Sequence, residues 1–303
     1  MKKFLIILGV VAAIGLTACQ GLEKLFAVTD EKIANVATSS PLEKRYTAFG
    51  NYEGEVVRYP SDDKLLKTIT VYYPKAQNQA FPLVVMANGT GMAVSKYEPV
   101  LKHLASWGFV VIGSEEDNSW SGKGANETLN FALKLNEDSS SPLYHKINRK
   151  KIGVSGHSQG GVGAINLASN QPLIRSVYTA STTKLGLSVL LKWPYDVSRV
   201  KVPYFMTAGA HKSDAGDGKD YNKGIAPIMS LNENYAKLSS PAVMAQRVGT
   251  DHGGMLWVPN GYMVAWFLYT LNGDTKAKTV FAGNKAELKH NANWTQVKIK
   301  NIQ

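Results

Sequence analysis

Cysteine is almost absent from this chain. Among 303 residues there is one, Cys19, so no disulfide can form within the chain and the fold must be held by its core. Acidic residues are also scarce: 23 Asp and Glu stand against 34 Lys and Arg, for a formal net charge of +11. A basic surface favours anionic lipid or polysaccharide headgroups. The basic residues are scattered, however, with Arg149-Lys150-Lys151 the densest run. No basic helix or basic patch interleaved with aromatics stands out, so a nucleic-acid partner is not expected. Beyond the first fifteen residues no apolar stretch approaches membrane-spanning length, and there are no internal repeats or low-complexity tracts.

The N-terminus has a leader's layout. Met1-Lys2-Lys3 is a basic start, Phe4 to Gly15 is apolar, and Leu16-Thr17-Ala18-Cys19 follows. An apolar segment of this length is too short for a comfortable transmembrane helix and is normally removed. The small residues before Cys19 resemble a bacterial lipobox, which implies cleavage after residue 18 and lipid modification of Cys19. Gln20 stands where an aspartate would retain such a protein at the inner membrane, so the resemblance implies a lipid-anchored protein of the outer membrane. Residues 19–45 are expected to form a tether with one short helix, and residues 46–303 a single α/β domain, monomeric and long enough for a well-buried core.

The elements alternate. Glu55–Tyr59 and Thr68–Tyr73 are rich in β-branched and aromatic residues and read as antiparallel lead-in strands. Phe81–Met86 and Phe109–Ile112 are continuous apolar runs, as in strands covered on both faces. Between them Tyr97–Trp107 has helical spacing, closed by Gly108. Thr128–Leu135 reads as a helix, Ile152–Ser155, Val202–Thr207 and Val243–Val248 as strands, and Gly261–Leu271 as a closing amphipathic helix. Thr275 to Gln303 reads as a C-terminal appendage. Strands alternating with helices predict a doubly wound, mostly parallel sheet with helices on both faces, its site at the carboxyl ends of the strands.

The most informative stretch lies at such an end. Gly156-His157-Ser158-Gln159-Gly160 follows an apolar strand and precedes a helix-like run, the layout of a nucleophile elbow. A sharp turn there lifts the Ser158 hydroxyl to where a histidine can take its proton. Three histidines follow. His252, in Gly249-Thr250-Asp251-His252-Gly253-Gly254 between a strand and the last helix, occupies the base's place. His211 and His290 read as peripheral, and Asp251 as a loop cap. For the acid, the loop 211–220 offers Asp214, nearest the strand end, and Asp217 as the alternative. The loop lacks the ligand alternation of an EF-hand, and no metal is expected. The oxyanion of an acyl transfer needs N–H donors. Gln159, after the nucleophile, supplies one, and the Gly-flanked Thr90, in Asn88-Gly89-Thr90-Gly91, the other. Trp120 and Trp257 sit in loops near the same edge, and Glu115-Glu116-Asp117 reads as a solvated acidic turn there.

Taken in order, Phe81–Gly91, Leu104–Ile112, Gly156–Gly161, Val202-Pro203 and Asp251-His252-Gly253 resemble the α/β-hydrolase superfamily over about residues 50–275. Within it the chain is similar to the branch of dienelactone-hydrolase-like esterases, cutinase-like polyester hydrolases and chlorophyllases. That resemblance implies hydrolysis of carboxylic esters by a serine triad without metal or organic cofactor. Ser158 falls on the nucleophile, His252 on the base, Asp214 or Asp217 on the acid, and Thr90 and Gln159 on the oxyanion hole. Two features depart from the polyester hydrolases: Thr90 and the Ala180-Ser181-Thr182-Thr183 run stand where those enzymes carry aromatic residues, so the aromatic platform is missing. No lid-like insertion separates elbow and acid, which points to short- or medium-chain esters. Transfer of the acyl group to a sugar or lipid hydroxyl, or ligand binding without catalysis, are the alternatives.

Overall fold

One sheet of nine strands organises the chain, in the order β1-β2-β4-β3-β5-β6-β7-β8-β9. The structure, a computed structural model, describes residues 27–76 and 78–302. Its strands are β1 (Gly54–Pro60), β2 (Thr68–Pro74), β3 (Phe81–Ala87), β4 (Val110–Ser114), β5 (Ile147–His157), β6 (Ile174–Ala180), β7 (Tyr204–Gly209), β8 (Ala242–Arg247) and β9 (Trp294–Lys300). From β4 through β8 every pairing is parallel. The two lead-in strands and β9 are antiparallel. This is the mostly parallel sheet that the alternation predicts, in the α/β-hydrolase arrangement that the resemblance implies.

β3 is apolar throughout because both of its faces are covered. Along β3, Leu83, Val85 and Ala87 point into one core, beneath the helices Lys123–Glu137 and Gln159–Asn170. Val84 and Met86 point into the other, beneath Glu98–Ser106 and Asn260–Asn272. β3 and β5 are neighbours, yet the helix after β3 lies on one face and the helix after β5 on the other. A crevice opens where the chain directions part, and Ser158 follows β5 at that point.

Three regions differ from the sequence-based expectation. Residues 28–45, expected to be a tether, are part of the folded unit. Val28, Ile33 and Tyr46 are buried in the second core, and helices form at Asp30–Ala34 and Pro41–Thr47. Glu43 is buried, accepting from Asn291 Nδ2 (2.7 Å) and Trp294 Nε1 (2.8 Å), with Arg247 at 3.7 Å. The closing helix Asn260–Asn272 is covered on both sides rather than amphipathic, since the N-terminal helix 41–47 lies over its outer face. Gly261 permits that approach: a Cβ there would lie 2.4 Å from Thr47 Oγ1. The C-terminal segment is no appendage either. Phe281, Leu288 and Trp294 enter the second core, and β9 extends the sheet. Cys19 and the leader lie outside the described residues.

Candidate active site

The elbow is fixed by contacts that only glycine tolerates. A Cβ at Gly156 would lie 2.0 Å from Gly160 O, and one at Gly160 2.1 Å from Ala87 O. The crossing of β5 and its helix is therefore closer than any side chain allows. Ser158 sits between them at φ 58°, ψ −120°, a conformation L-residues adopt at a cost of about 1–3 kcal/mol. Its N–H donates to Ala180 O (3.0 Å) and its carbonyl accepts Gly161 N (3.0 Å), so the strained turn is held from both sides. The Ser158 side chain stands at the N-terminal end of Gln159–Asn170, where the helix dipole favours negative charge.

His252 and Asp214 come from the loops after β8 and β7. His252 Nε2 lies 2.9 Å from Ser158 Oγ, and His252 Nδ1 lies 2.6 Å from Asp214 Oδ1. In the tautomer this geometry calls for, Nδ1–H donates to the carboxylate and Ser158 O–H donates to Nε2. Asp214 is fully buried, and its other oxygen accepts Gly209 N (2.7 Å) and the Ser181 hydroxyl. Asp217, the alternative acid, is exposed and elsewhere. It pairs with Lys223 (2.8 Å) and accepts the Lys219 and Asp220 N–H groups, and the Lys223 ammonium holds its carboxyl well below the usual range.

The loop bearing Thr90 packs against the serine. A Cβ on Gly89 would be 3.6 Å from Ser158 Cβ and 3.3 Å from His157 O. Met92 N–H donates to Gly89 O (3.0 Å), closing a tight turn with Thr90 exposed on it. Asn88 anchors this turn: Nδ2 donates to Ser114 O (2.7 Å) and Glu116 O (2.9 Å), Oδ1 accepts the Tyr97 hydroxyl, and its N–H donates to Ser119 Oγ (3.1 Å). Gln159 is buried, and its side-chain oxygen accepts Ser119 N (3.1 Å). Ser119 thus connects the Thr90 loop to the residue after the serine, and its hydroxyl donates to Glu116 (2.9 Å).

Glu116 corrects the expectation of a solvated acidic turn. It is 2% exposed, and burial pushes its carboxyl up to about 7. Only Asp117, paired with Lys67, is exposed as expected. Trp120 packs against the first core, whereas Trp257 lines an apolar cleft with Lys32, Met92, His157, Gly253, Gly254 and Leu256. His211 and His290 are exposed. Asp251 caps the His252 loop; partial burial opposes its ionisation, but hydrogen bonds from Ser213, His252 and His211 hold it down at about 2.

Two residues at the site carry no role in the sequence reading. Ser181 completes the coordination of Asp214. His157, buried beside the serine, donates from Nε2 to the His252 carbonyl (2.8 Å), and burial lowers its imidazole to about 4, keeping it neutral. The position of His157 inside the elbow was the only available signal; for Ser181 there was none, because its partner is 33 residues away.

The chain matches a family profile described as "PETase: PET hydrolase-like" over residues 65–298. It is 30% identical over 248 residues to cutinase est2 of Thermobifida alba, covering 79% of this chain and 75% of that protein. Cutinase cut1 of Thermobifida fusca is 26% identical over 248 residues, covering 79% and 70%. Chlorophyllase-1 of Citrus unshiu is 27% identical over 208 residues, covering 65% of this chain and 61% of that protein. Sheet, elbow and relatives together define a serine ester hydrolase of the α/β-hydrolase fold. Within that class, the chain belongs to the PET hydrolase-like family.

Proposed function

We propose that Ser158 is the nucleophile, His252 the general base and Asp214 the acid of this hydrolase, acting on short- to medium-chain carboxylic esters at the bacterial cell envelope. The observation that carries the reading is the continuous hydrogen-bond chain Asp214–His252–Ser158, at 2.6 and 2.9 Å, ending on a serine held at positive φ. His252 takes the serine proton as Oγ attacks the carbonyl, and Asp214 stabilises the imidazolium. The tetrahedral oxyanion rests on the N–H groups of Gln159 and Thr90, favoured by the helix terminus behind Gln159. The alcohol leaves with the proton from His252, and water repeats the cycle against the acyl-enzyme.

The names of the relatives point toward polymeric esters. Thr90 and the Ala180–Thr183 run offer no aromatic surface at the two places noted above, which favours aliphatic over aromatic acyl groups. The lipobox-like leader supports attachment through Cys19, and the basic balance suits an anionic surface.

The test is hydrolysis of p-nitrophenyl acetate, butyrate and octanoate by the protein and by Ser158→Ala. Turnover that falls to background in the variant, with fluorophosphonate labelling of Ser158 in the parent, is the expected result. A folded parent that neither turns over nor labels ends the reading.

A further inference from the structure

Asp251 immediately precedes the base, too near in sequence for its carboxylate to orient the imidazole. It gathers main chain instead. Oδ1 accepts the N–H groups of His252 (2.9 Å), Asp214 (3.2 Å) and Ser213 (2.8 Å), and Oδ2 accepts the Ser213 hydroxyl (2.8 Å) and faces His211 Nδ1 at 3.2 Å. One carboxylate therefore holds the backbone amides of both residues whose side chains make the 2.6 Å acid–base bond. The loops it joins follow different strands, β7 and β8.

These loops need such a tie. Glycines punctuate both, with Gly216, Gly218 and Gly249 at positive φ, and His252 is only partly covered. The peptide groups on either side of the base are each gripped: Asp251 takes the N–H, and His157 Nε2 donates to the carbonyl. Resting on the assignment of Asp214 and His252 made above, we propose that Asp251 is a positioning residue that aligns the acid–base pair by clamping the two loops that carry it. It touches no reacting atom. Its effect falls on the transition state, because a displacement of about 1 Å between base and nucleophile costs on the order of 100-fold in rate.

The experiment compares Asp251→Ala and Asp251→Asn with the parent, in the full chain, by kcat and KM on p-nitrophenyl butyrate, fluorophosphonate labelling rate and circular dichroism. Asp251→Ala is expected to lower kcat about 10- to 100-fold with KM within about twofold, and to slow labelling in parallel. Asp251→Asn keeps an oxygen for the three N–H groups and is expected to recover to within about fivefold of the parent. In an Asp214→Ala background, where the pair is already broken, Asp251→Ala should cost less than about threefold more. A folded Asp251→Ala protein with parental kcat overturns the proposal. So does a loss equal in both backgrounds, or an Asn variant as impaired as the Ala variant. If the parent itself neither turns over nor labels, the triad assignment falls first and this role falls with it.

Discussion

Sequence offers three aspartates between His211 and Asp220, and geometry separates them by what surrounds each carboxylate. Asp214 is sealed from water and receives three donors, from His252, Ser181 and Gly209, so both its oxygens are partnered without solvent. Asp217 already has Lys223 and two loop amides. Asp214→Asn should therefore lower kcat by about three to four orders of magnitude, since an amide cannot hold the same imidazole tautomer. Asp217→Asn should stay within about twofold of the parent; steady-state kinetics on one ester distinguishes them. Glu116 yields a second prediction at this scale. Its folded-state pKa, about 7, stands above the ordinary 4.5, so the native protein holds the proton more tightly than the unfolded chain. The stabilising contribution is complete below pH 4.5 and disappears as pH rises through about 7, an effect of roughly 3 kcal/mol in all. Glu116→Gln keeps a neutral side chain there, and urea denaturation at pH 5 and pH 8 should show a smaller loss of stability with pH in the variant than in the parent. Neither Glu116 nor Ser181 could be read in the sequence, because a buried polar residue differs from a solvated one only in partners that the fold brings from elsewhere.

Elements were legible where burial is uniform. β3, β4, β7 and β8 are fully buried; β3 and β4 read as apolar runs, and Val202–Thr207 and Val243–Val248 also read as strands. β6 hid because Ser176 and Thr179 occupy its interior, satisfied by Thr270 (2.7 Å) and Tyr204 (2.8 Å). β9 hid because its outer face is open, giving a polar, lysine-rich strand at the sheet edge, a composition that also discourages pairing with other chains. The N-terminal helix Pro41–Thr47 reads as tether up to residue 45 because its docking depends on distant polar residues. Glu287 caps it, accepting Leu42 N (2.7 Å) and Glu43 N (2.8 Å). Glu43 lies against Arg247, itself 4% exposed, whose Nη2 also donates to Ala37 O (3.1 Å). Removing one partner strands the other charge out of water. Glu43→Ala is accordingly expected to destabilise the protein by about 3–5 kcal/mol, far more than a tether residue could. A shift of the urea midpoint at constant m-value reads it; a variant as stable as the parent means the segment contributes nothing to the domain.

Across the whole molecule, the course of the N-terminal segment relates the proposed anchor to the chemistry. Residues 28–47 pack along the second core, and Lys32 lines the cleft that also holds His157, Gly253 and Trp257. The chain thus enters the folded unit on the side of the active site. Cys19 lies eight residues before Ala27, and eight residues cannot span more than about 29 Å. An anchor at Cys19 would keep the catalytic edge close to the membrane surface and raise its effective concentration for esters dissolved there. No helix among the described residues is long and apolar enough to cross a membrane. If residues 1–18 act as the proposed lipoprotein leader, then in a bacterium that processes lipoproteins the parent is expected in the outer-membrane fraction and Cys19→Ala in the soluble envelope fraction. Against p-nitrophenyl butyrate in solution the two proteins should agree within about twofold, because the substitution leaves Ser158, His252 and Asp214 unchanged. Against an ester embedded in vesicles, the anchored form should be faster by an amount that disappears when detergent disperses the lipid. Equal partitioning of the two forms would remove the anchor, and a rate difference surviving in detergent would place the effect of Cys19 within the fold instead of at the membrane.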